Sequence, residues 1–276
     1  MTKEDQVAAH YASASLVEAI KRGIQQLGKT TQTATIADLA PVDEFHIGGR
    51  QATMDFMDQL SLRDTDSVLD IGCGIGGAAR FVADHYGAKV TGIDLTKEFV
   101  ETGEEICRWL GLDDRVSLQQ GSALNLPFEP SSFHHAYMMH VGMNIADKGS
   151  LARQIARVVK PGGTFGVFDV MRTGDEELLY PVPWATIADT SVMETADDYS
   201  DYLKAAGFTI VGVRNRKDIA LDFYKKLRAT AVASNQVPPL GLHILMGQSA
   251  PTKVKNMLEN VSRGRIAPVE ILAKKP

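Results

Sequence analysis

The sequence predicts an α/β fold, a mainly parallel sheet covered by helices on both faces. Two observations carry this. From Ser67 onward, short β-branched runs alternate with amphipathic stretches, the rhythm of strand–helix–strand units that wind on both sides of a parallel sheet. Within it, Val68-Leu69-Asp70-Ile71 runs straight into Gly72-Cys73-Gly74-Ile75-Gly76-Gly77, a strand ending in a glycine-rich turn that opens a helix.

Seven strands follow from the pattern, over residues 67–71, 89–93, 116–120, 134–139, 164–169, 208–213 and 267–272. Helical stretches fill most gaps between them. Ahead of this core, Val7, Tyr11, Leu16, Ile20, Ile24 and Leu27 recur at helical spacing and predict a helix over residues 6–28, followed by a polar loop at 30–35. Residues 1–45 therefore read as an N-terminal helical lid and 46–276 as the main domain. Two segments break the rhythm. Residues 172–195, with Pro181, Pro183 and Trp184, read as a loop-rich insertion, and 218–265 as helical stretches around Pro238-Pro239-Leu240-Gly241. Long excursions at strand ends are where α/β proteins carry substrate lids.

Composition narrows the function. The 276 residues are 44% hydrophobic and 23% charged, enough for a large core without disulfides. The net charge of -5 and the absence of a Lys/Arg run argue against a nucleic-acid partner. Cys73 and Cys107 have no metal-ligand spacing, so no metal is expected, and two thiols suit a reducing cytoplasm. The opening Thr2-Lys3-Glu4-Asp5 carries no apolar signal core, and no stretch approaches membrane-spanning length. A cytoplasmic protein without a membrane partner is the expectation.

The glycine turn predicts a cofactor at the carboxyl end of the first strand, because glycine lets a ligand touch backbone. Gly72, Gly74 and Gly77 fit the dinucleotide spacing G-x-G-x-x-G, a weak pattern alone. Asp70 discriminates: a carboxylate two residues before the first glycine repels a pyrophosphate and suits a cationic amino group. Asp94, ending the second strand, suits both hydroxyls of a ribose.

These residues, with Gly121-Ser122-Ala123-Leu124-Asn125-Leu126-Pro127-Phe128 and Val159-Lys160-Pro161-Gly162-Gly163, resemble the successive motifs of class I S-adenosylmethionine-dependent methyltransferases over about residues 46–170. The resemblance implies a doubly wound, Rossmann-like seven-stranded sheet with an antiparallel last strand. It assigns Asp70, Gly72, Gly74, Asp94 and Leu95 to S-adenosylmethionine, with Ser122 and Ala123 near the adenine. Ser122 departs from the aspartate common there. Upstream, Asp43-Glu44-Phe45-His46-Ile47-Gly48-Gly49-Arg50 resembles the segment that closes over the cofactor in small-molecule members, including sarcosine/dimethylglycine and sugar O-methyltransferase-like enzymes. That resemblance favours the backbone of Gly48 and Gly49 as cofactor contacts over the His46 side chain.

The acceptor is expected beyond the carboxyl ends of the fourth and fifth strands. His140, after the fourth, is the base candidate at that edge, and Asn144 can orient cofactor or acceptor. Asp169 ends the fifth strand, where a buried carboxylate needs a partner or a function. Its position resembles the acid that pairs with a histidine in related sugar O-methyltransferases. Met138, Met139, Met143, Met171, Met193 and Met246 fall near the pocket edges, though about half are expected to fill core, and Trp184 is a lid wall. His243 faces either the pocket or solvent. The expected reaction is methyl transfer to oxygen or nitrogen of a small molecule. The competing readings are C-methylation of a quinone or polyketide-like ring, an NAD-dependent oxidoreductase, and a catalytically silent cofactor-binding module. Small-molecule members often pair through their lids, which leaves a homodimer open.

Overall fold

The computed structural model describes residues 2–11, 16–234 and 237–276. Its sheet contains β1 (Ser67–Ile71), β2 (Lys89–Asp94), β3 (Val116–Gln120), β4 (Phe133–Met139), β5 (Val159–Arg172), β6 (Thr209–Asn215) and β7 (Ile266–Lys274). The spatial order is β3-β2-β1-β4-β5-β7-β6. Strands β1 to β5 run parallel, and β7 is antiparallel to both β5 and β6. All seven predicted strands form. β5 starts earlier than predicted: Val159 pairs with Phe133, and the chain bulges through Pro161-Gly162-Gly163 before Thr164 pairs with His135.

Helices cover both faces because the strands alternate at period two. Leu69, Ala136, Met138 and Val167 pack in one cluster with Leu151, Ile155 and Leu203, from the helices Lys148–Val158 and Ala196–Ala205. Val68, Tyr137 and Phe168 point the other way, against Phe56, Phe81 and Val100 of the helices Gly49–Met57, Gly77–Tyr86 and Lys97–Leu110. β1 lies between β2 and β4, so the winding direction reverses beside it. That reversal opens a crevice at the strands' carboxyl ends.

The predicted helix over residues 6–28 is two helices, Lys3–Tyr11 and Leu16–Gln26; residues 12–15 and the Tyr11 side chain lie outside the described residues, as do residues 235 and 236. The polar stretch at 30–35 ends in Thr35, whose side chain forms a capping box with Asp38 and starts a helix, Ile36–Asp43. Leu16, Ile20, Ile24, Leu39 and Val42 share one apolar cluster with Ile75, Phe99 and Ile106 of the main domain. The insertion at 172–195 is largely irregular. The later one carries the helices Lys217–Ser234, His243–Met246 and Ala250–Ser262. Both meet above the sheet in a cluster that includes Val182, Trp184, Tyr224, Met257 and Ile47. No helix among the described residues is long and apolar enough to cross a membrane.

Candidate active site

The crevice beside β1 is roofed into a cavity of about 370 Å³, within the size range of small-molecule sites. Its floor is the glycine turn. Gly72 and Cys73 both donate their N–H to the Ile93 carbonyl, at 2.8 and 3.1 Å, which ties the turn to β2. Gly74 has φ +54° and open space where a β-carbon would stand, so a ligand can lie directly on its backbone. Its N–H donates to Asp94 Oδ2 at 2.9 Å, while the Thr96 N–H donates to Asp94 Oδ1 at 2.8 Å. Burial raises the Asp94 carboxyl above its ordinary range, and these two N–H groups oppose that shift.

Asp70 differs. Its Oδ2 is buried without a hydrogen-bond partner, and the Tyr137 hydroxyl nearby closes no bond of good geometry. Burial pushes this carboxyl up to about 7; the phenol offsets the shift in part and the Asp94 charge adds to it. An orphaned acid oxygen on a cavity wall is a site that wants a cation or a hydrogen-bond donor. Asp70, the open backbone at Gly74 and Asp94 together fit an aminoacyl nucleoside such as S-adenosylmethionine. Leu95 and Ala123 line the far end of the same floor.

Three expected contacts are displaced. Ser122 does not line the cavity: its hydroxyl donates to the Glu4 carboxylate and accepts the Leu124 N–H. Gly48 and Gly49 do not line it either. Gly48 caps the helix Gly49–Met57, and a β-carbon on it would meet Ala52 at 2.5 Å, so both glycines serve helix entry. The wall there is Phe45, His46 and Ile47, which reverses the ranking of the glycines over His46. Asp169 is fully buried and does not face the acceptor space. It accepts N–H bonds from Val141 at 2.8 Å and Gly142 at 3.0 Å, and the Tyr199 hydroxyl at 3.0 Å. Burial raises it to about 6 against those donors. Its work is to hold the turn after β4.

That turn carries His140, which does line the cavity, in a left-handed conformation (φ +58°). Its Nδ1 donates to the Phe168 carbonyl at 3.1 Å, and its Nε2 accepts the Ile47 N–H at 3.3 Å. Burial drives its pKa down to about 3, helped by the adjacent His46 and opposed by the Phe168 carbonyl. His140 is thus expected to stay neutral throughout pH 8 to 5. Its ring proton resonances should not titrate over that range, and a midpoint near 6.5 would refute this geometry.

His46, in contrast, sits in a carboxylate pair. Its Nε2 lies 2.7 Å from Glu44 Oε2 and 2.9 Å from the Thr53 hydroxyl, and Arg50 holds the other Glu44 oxygen. Asn144 lines the cavity and donates to the Trp184 carbonyl at 2.9 Å, joining β4's turn to the first insertion. Of the methionines singled out above, Met139, Met143 and Met246 line the cavity, and Met138 and Met171 are core. His243 is not on its wall. Among the described residues, no group of His, Cys, Asp and Glu comes together as a metal site. Sequence reasoning missed the fully buried Arg80–Asp43 pair, 2.6 Å apart, behind the turn. The signal was present: an arginine inside the apolar run Ala79-Arg80-Phe81-Val82-Ala83 demands a buried partner.

Residues 68–163 match a family model described as a methyltransferase domain. Methyltransferase GfsG of Streptomyces halstedii is 27% identical over 177 residues, covering 63% of this chain and 64% of that protein. The sterol 4-C-methyltransferase strm-1 of Caenorhabditis elegans is 37% identical over 118 residues, 43% of this chain and 35% of its own. The curated relatives are matched over 26% to 64% of their lengths. In fold, the chain superposes on Haemonchus contortus phosphoethanolamine N-methyltransferase 2, solved with S-adenosylmethionine, with a TM-score of 0.78 at 18% identity, covering 100% of this chain and 60% of that one. The domain match thus begins on β1 and takes in the glycine turn and Asp94, so residues 68–163 are similar to a methyltransferase domain, on the strand order described above.

Proposed function

We propose that the chain binds S-adenosylmethionine on the β1 turn and transfers its methyl group to an oxygen or nitrogen atom of a small-molecule acceptor. The observation that carries this is the orphaned Asp70 oxygen beside the open Gly74 backbone. Asp70 takes the amino group of the cofactor, Gly72 and Gly74 its methionine portion, and Asp94 the ribose hydroxyls. Leu95 and Ala123 flank the adenine, and Glu4 reaches over it to Ser122. A dinucleotide would set its pyrophosphate against Asp70, which disfavours the oxidoreductase reading.

When bound, the cofactor supplies an electrophilic methyl on a sulfonium. The acceptor atom bonds to that carbon as the sulfur–methyl bond returns its electron pair to sulfur. The chain's part is chiefly positioning, worth on the order of 7–11 kcal/mol. His140 and Asp169 act on the site's shape, Asp169 by holding the turn and His140 by pinning Ile47 to β5. The proton of a hydroxyl or amine acceptor passes to His46. His46 lines the cavity, with its Nε2 2.7 Å from Glu44 Oε2 and its Nδ1 3.3 Å from the Ile47 carbonyl. A carbon acceptor is the second reading, favoured by the low basicity of His140. The two buried free thiols suit a cytoplasmic setting, and the acidic net charge a small acceptor rather than nucleic acid.

Asp94→Ala removes an acceptor of charge-assisted hydrogen bonds and should weaken cofactor binding by about 1.5–3 kcal/mol. Calorimetry should show micromolar or better binding of S-adenosylmethionine to the parent protein and far weaker binding of NAD. Unchanged affinity in a folded Asp94→Ala variant, or preferred NAD binding, refutes the cofactor assignment.

A further inference from the structure

The half of the cavity away from the glycine turn is almost wholly carbon. Met143, Trp184, Phe223, Val254 and Met257 form its walls and roof. Among the described residues, no lysine or arginine lines this half. Among the described residues the lining Lys or Arg is Lys3, which adjoins Glu4, whose carboxylate is bonded to Ser122 after β3. Lys253, behind the roof, turns its ammonium to the Pro183 carbonyl at 3.5 Å. Arg80 is spent on Asp43.

A phosphate carries one to two charges at neutral pH and needs paired cations or several N–H donors when taken out of water. Among the described residues this chamber offers no paired cations. It does offer single polar handles. Among the described residues the Tyr224 hydroxyl has no hydrogen-bond partner, in a residue that is 5% exposed. His46 and His140 stand where the chamber meets the cofactor floor.

We propose, on the methyltransferase reading above, that the acceptor is a neutral, largely apolar molecule with one or two hydrogen-bonding groups, and that phosphorylated acceptors are excluded. The apolar body fills the chamber between Trp184 and the helix Lys217–Ser234, and one polar group meets Tyr224.

Trp184 reports occupancy. The chain has two tryptophans, and Trp109, bonded to Glu105 on the helix Lys97–Leu110, is replaceable by phenylalanine. Trp109→Phe protein saturated with S-adenosylhomocysteine is titrated with geraniol, menthol, geranyl monophosphate and phosphoethanolamine, following Trp184 emission. Geraniol and geranyl monophosphate share one hydrocarbon and differ in the charge. The neutral alcohols should shift the emission saturably, geranyl monophosphate should bind at least tenfold more weakly than geraniol, and phosphoethanolamine should have no effect. Tyr224→Phe should weaken geraniol roughly three- to tenfold, the loss of one hydrogen bond, with unchanged S-adenosylhomocysteine affinity. Phosphate binding as tight as the alcohol, or no response to either alcohol, overturns the proposal. Failure of S-adenosylhomocysteine to bind, read separately by calorimetry, instead overturns the methyltransferase reading beneath it.

Discussion

Asp70→Asn is expected to produce a protein that is more stable and binds its cofactor poorly. The carboxyl is raised from 3.8 to about 7 in the fold, so between about pH 4 and 7 the folded state holds a proton that the unfolded state has lost. Stability contributed through this group therefore falls as pH rises across that window, and the penalty is complete above pH 7. At about 1.4 kcal/mol per pKa unit it reaches roughly 4 kcal/mol at most. Asparagine removes the charge and much of that cost. Thermal melts without ligand should show the variant several degrees more stable at pH 8 and nearly equal to the parent at pH 4.5. Cofactor affinity should fall by roughly 10- to 150-fold, the worth of a charge-assisted hydrogen bond. The parent's affinity should weaken about tenfold per unit below pH 7, because the Asp70 proton must leave before an ammonium can bind. Equal stability at pH 8, or affinity flat from pH 5 to 7, would show that Asp70 is not the cation site.

Arg80→Met carries the larger stability effect in the opposite direction. Arg80 is fully buried, donates to Asp43 at 2.6 Å, and donates to the Ile75 carbonyl inside the glycine turn, also at 2.6 Å. Asp43 in turn lies so close to the start of the next helix that a β-carbon on Gly77 would meet it at 2.5 Å. Removing the guanidinium leaves a buried carboxylate without its counterion, which costs about 3–5 kcal/mol. Burial already lifts Asp43 to about 6 with Arg80 present, and without it the proton is held more tightly still. The loss should therefore be largest above pH 7 and shrink toward pH 5, where Asp43 is protonated in the fold. Denaturant titrations at pH 8 and pH 5 measure both. The double variant Asp43→Leu/Arg80→Met should recover most of the loss, since no lone charge remains buried. If Arg80→Met loses less than 1 kcal/mol at pH 8, the pair does not brace the turn.

The strands were legible because their signal is local. Val68, Leu69 and Ile71 alternate between two packed faces, and the glycine turn follows within the same ten residues. Asp70, Gly74 and Asp94 were legible for the same reason: each is fixed by its place on a strand end, and the strand ends meet wherever the sheet forms. The antiparallel β7 came from the family resemblance, not from any period in its residues.

The acceptor side was decided elsewhere. His140 and Asp169 stand at the predicted strand ends, yet what each can do depends on atoms far away in sequence. The Ile47 N–H occupies the His140 lone pair from 93 residues upstream, and Val141, Gly142 and Tyr199 surround Asp169. Burial, which no short window of sequence reports, then makes one a weak base and the other a brace. His46 gains its weight from Glu44 and Thr53, brought together only when the segment before Gly49–Met57 folds over the cavity. The chamber itself is assembled from separate insertions, Trp184 from one and Tyr224 and Met257 from the other. By itself, then, the sequence determined the sheet, the glycine turn and the places of Asp70 and Asp94 on the strand ends, because these depend on periodicity and backbone conformation. Only the tertiary structure decided which polar groups are buried and paired and which residues wall the cavity, because desolvation and hydrogen bonding are set by neighbours distant in the chain.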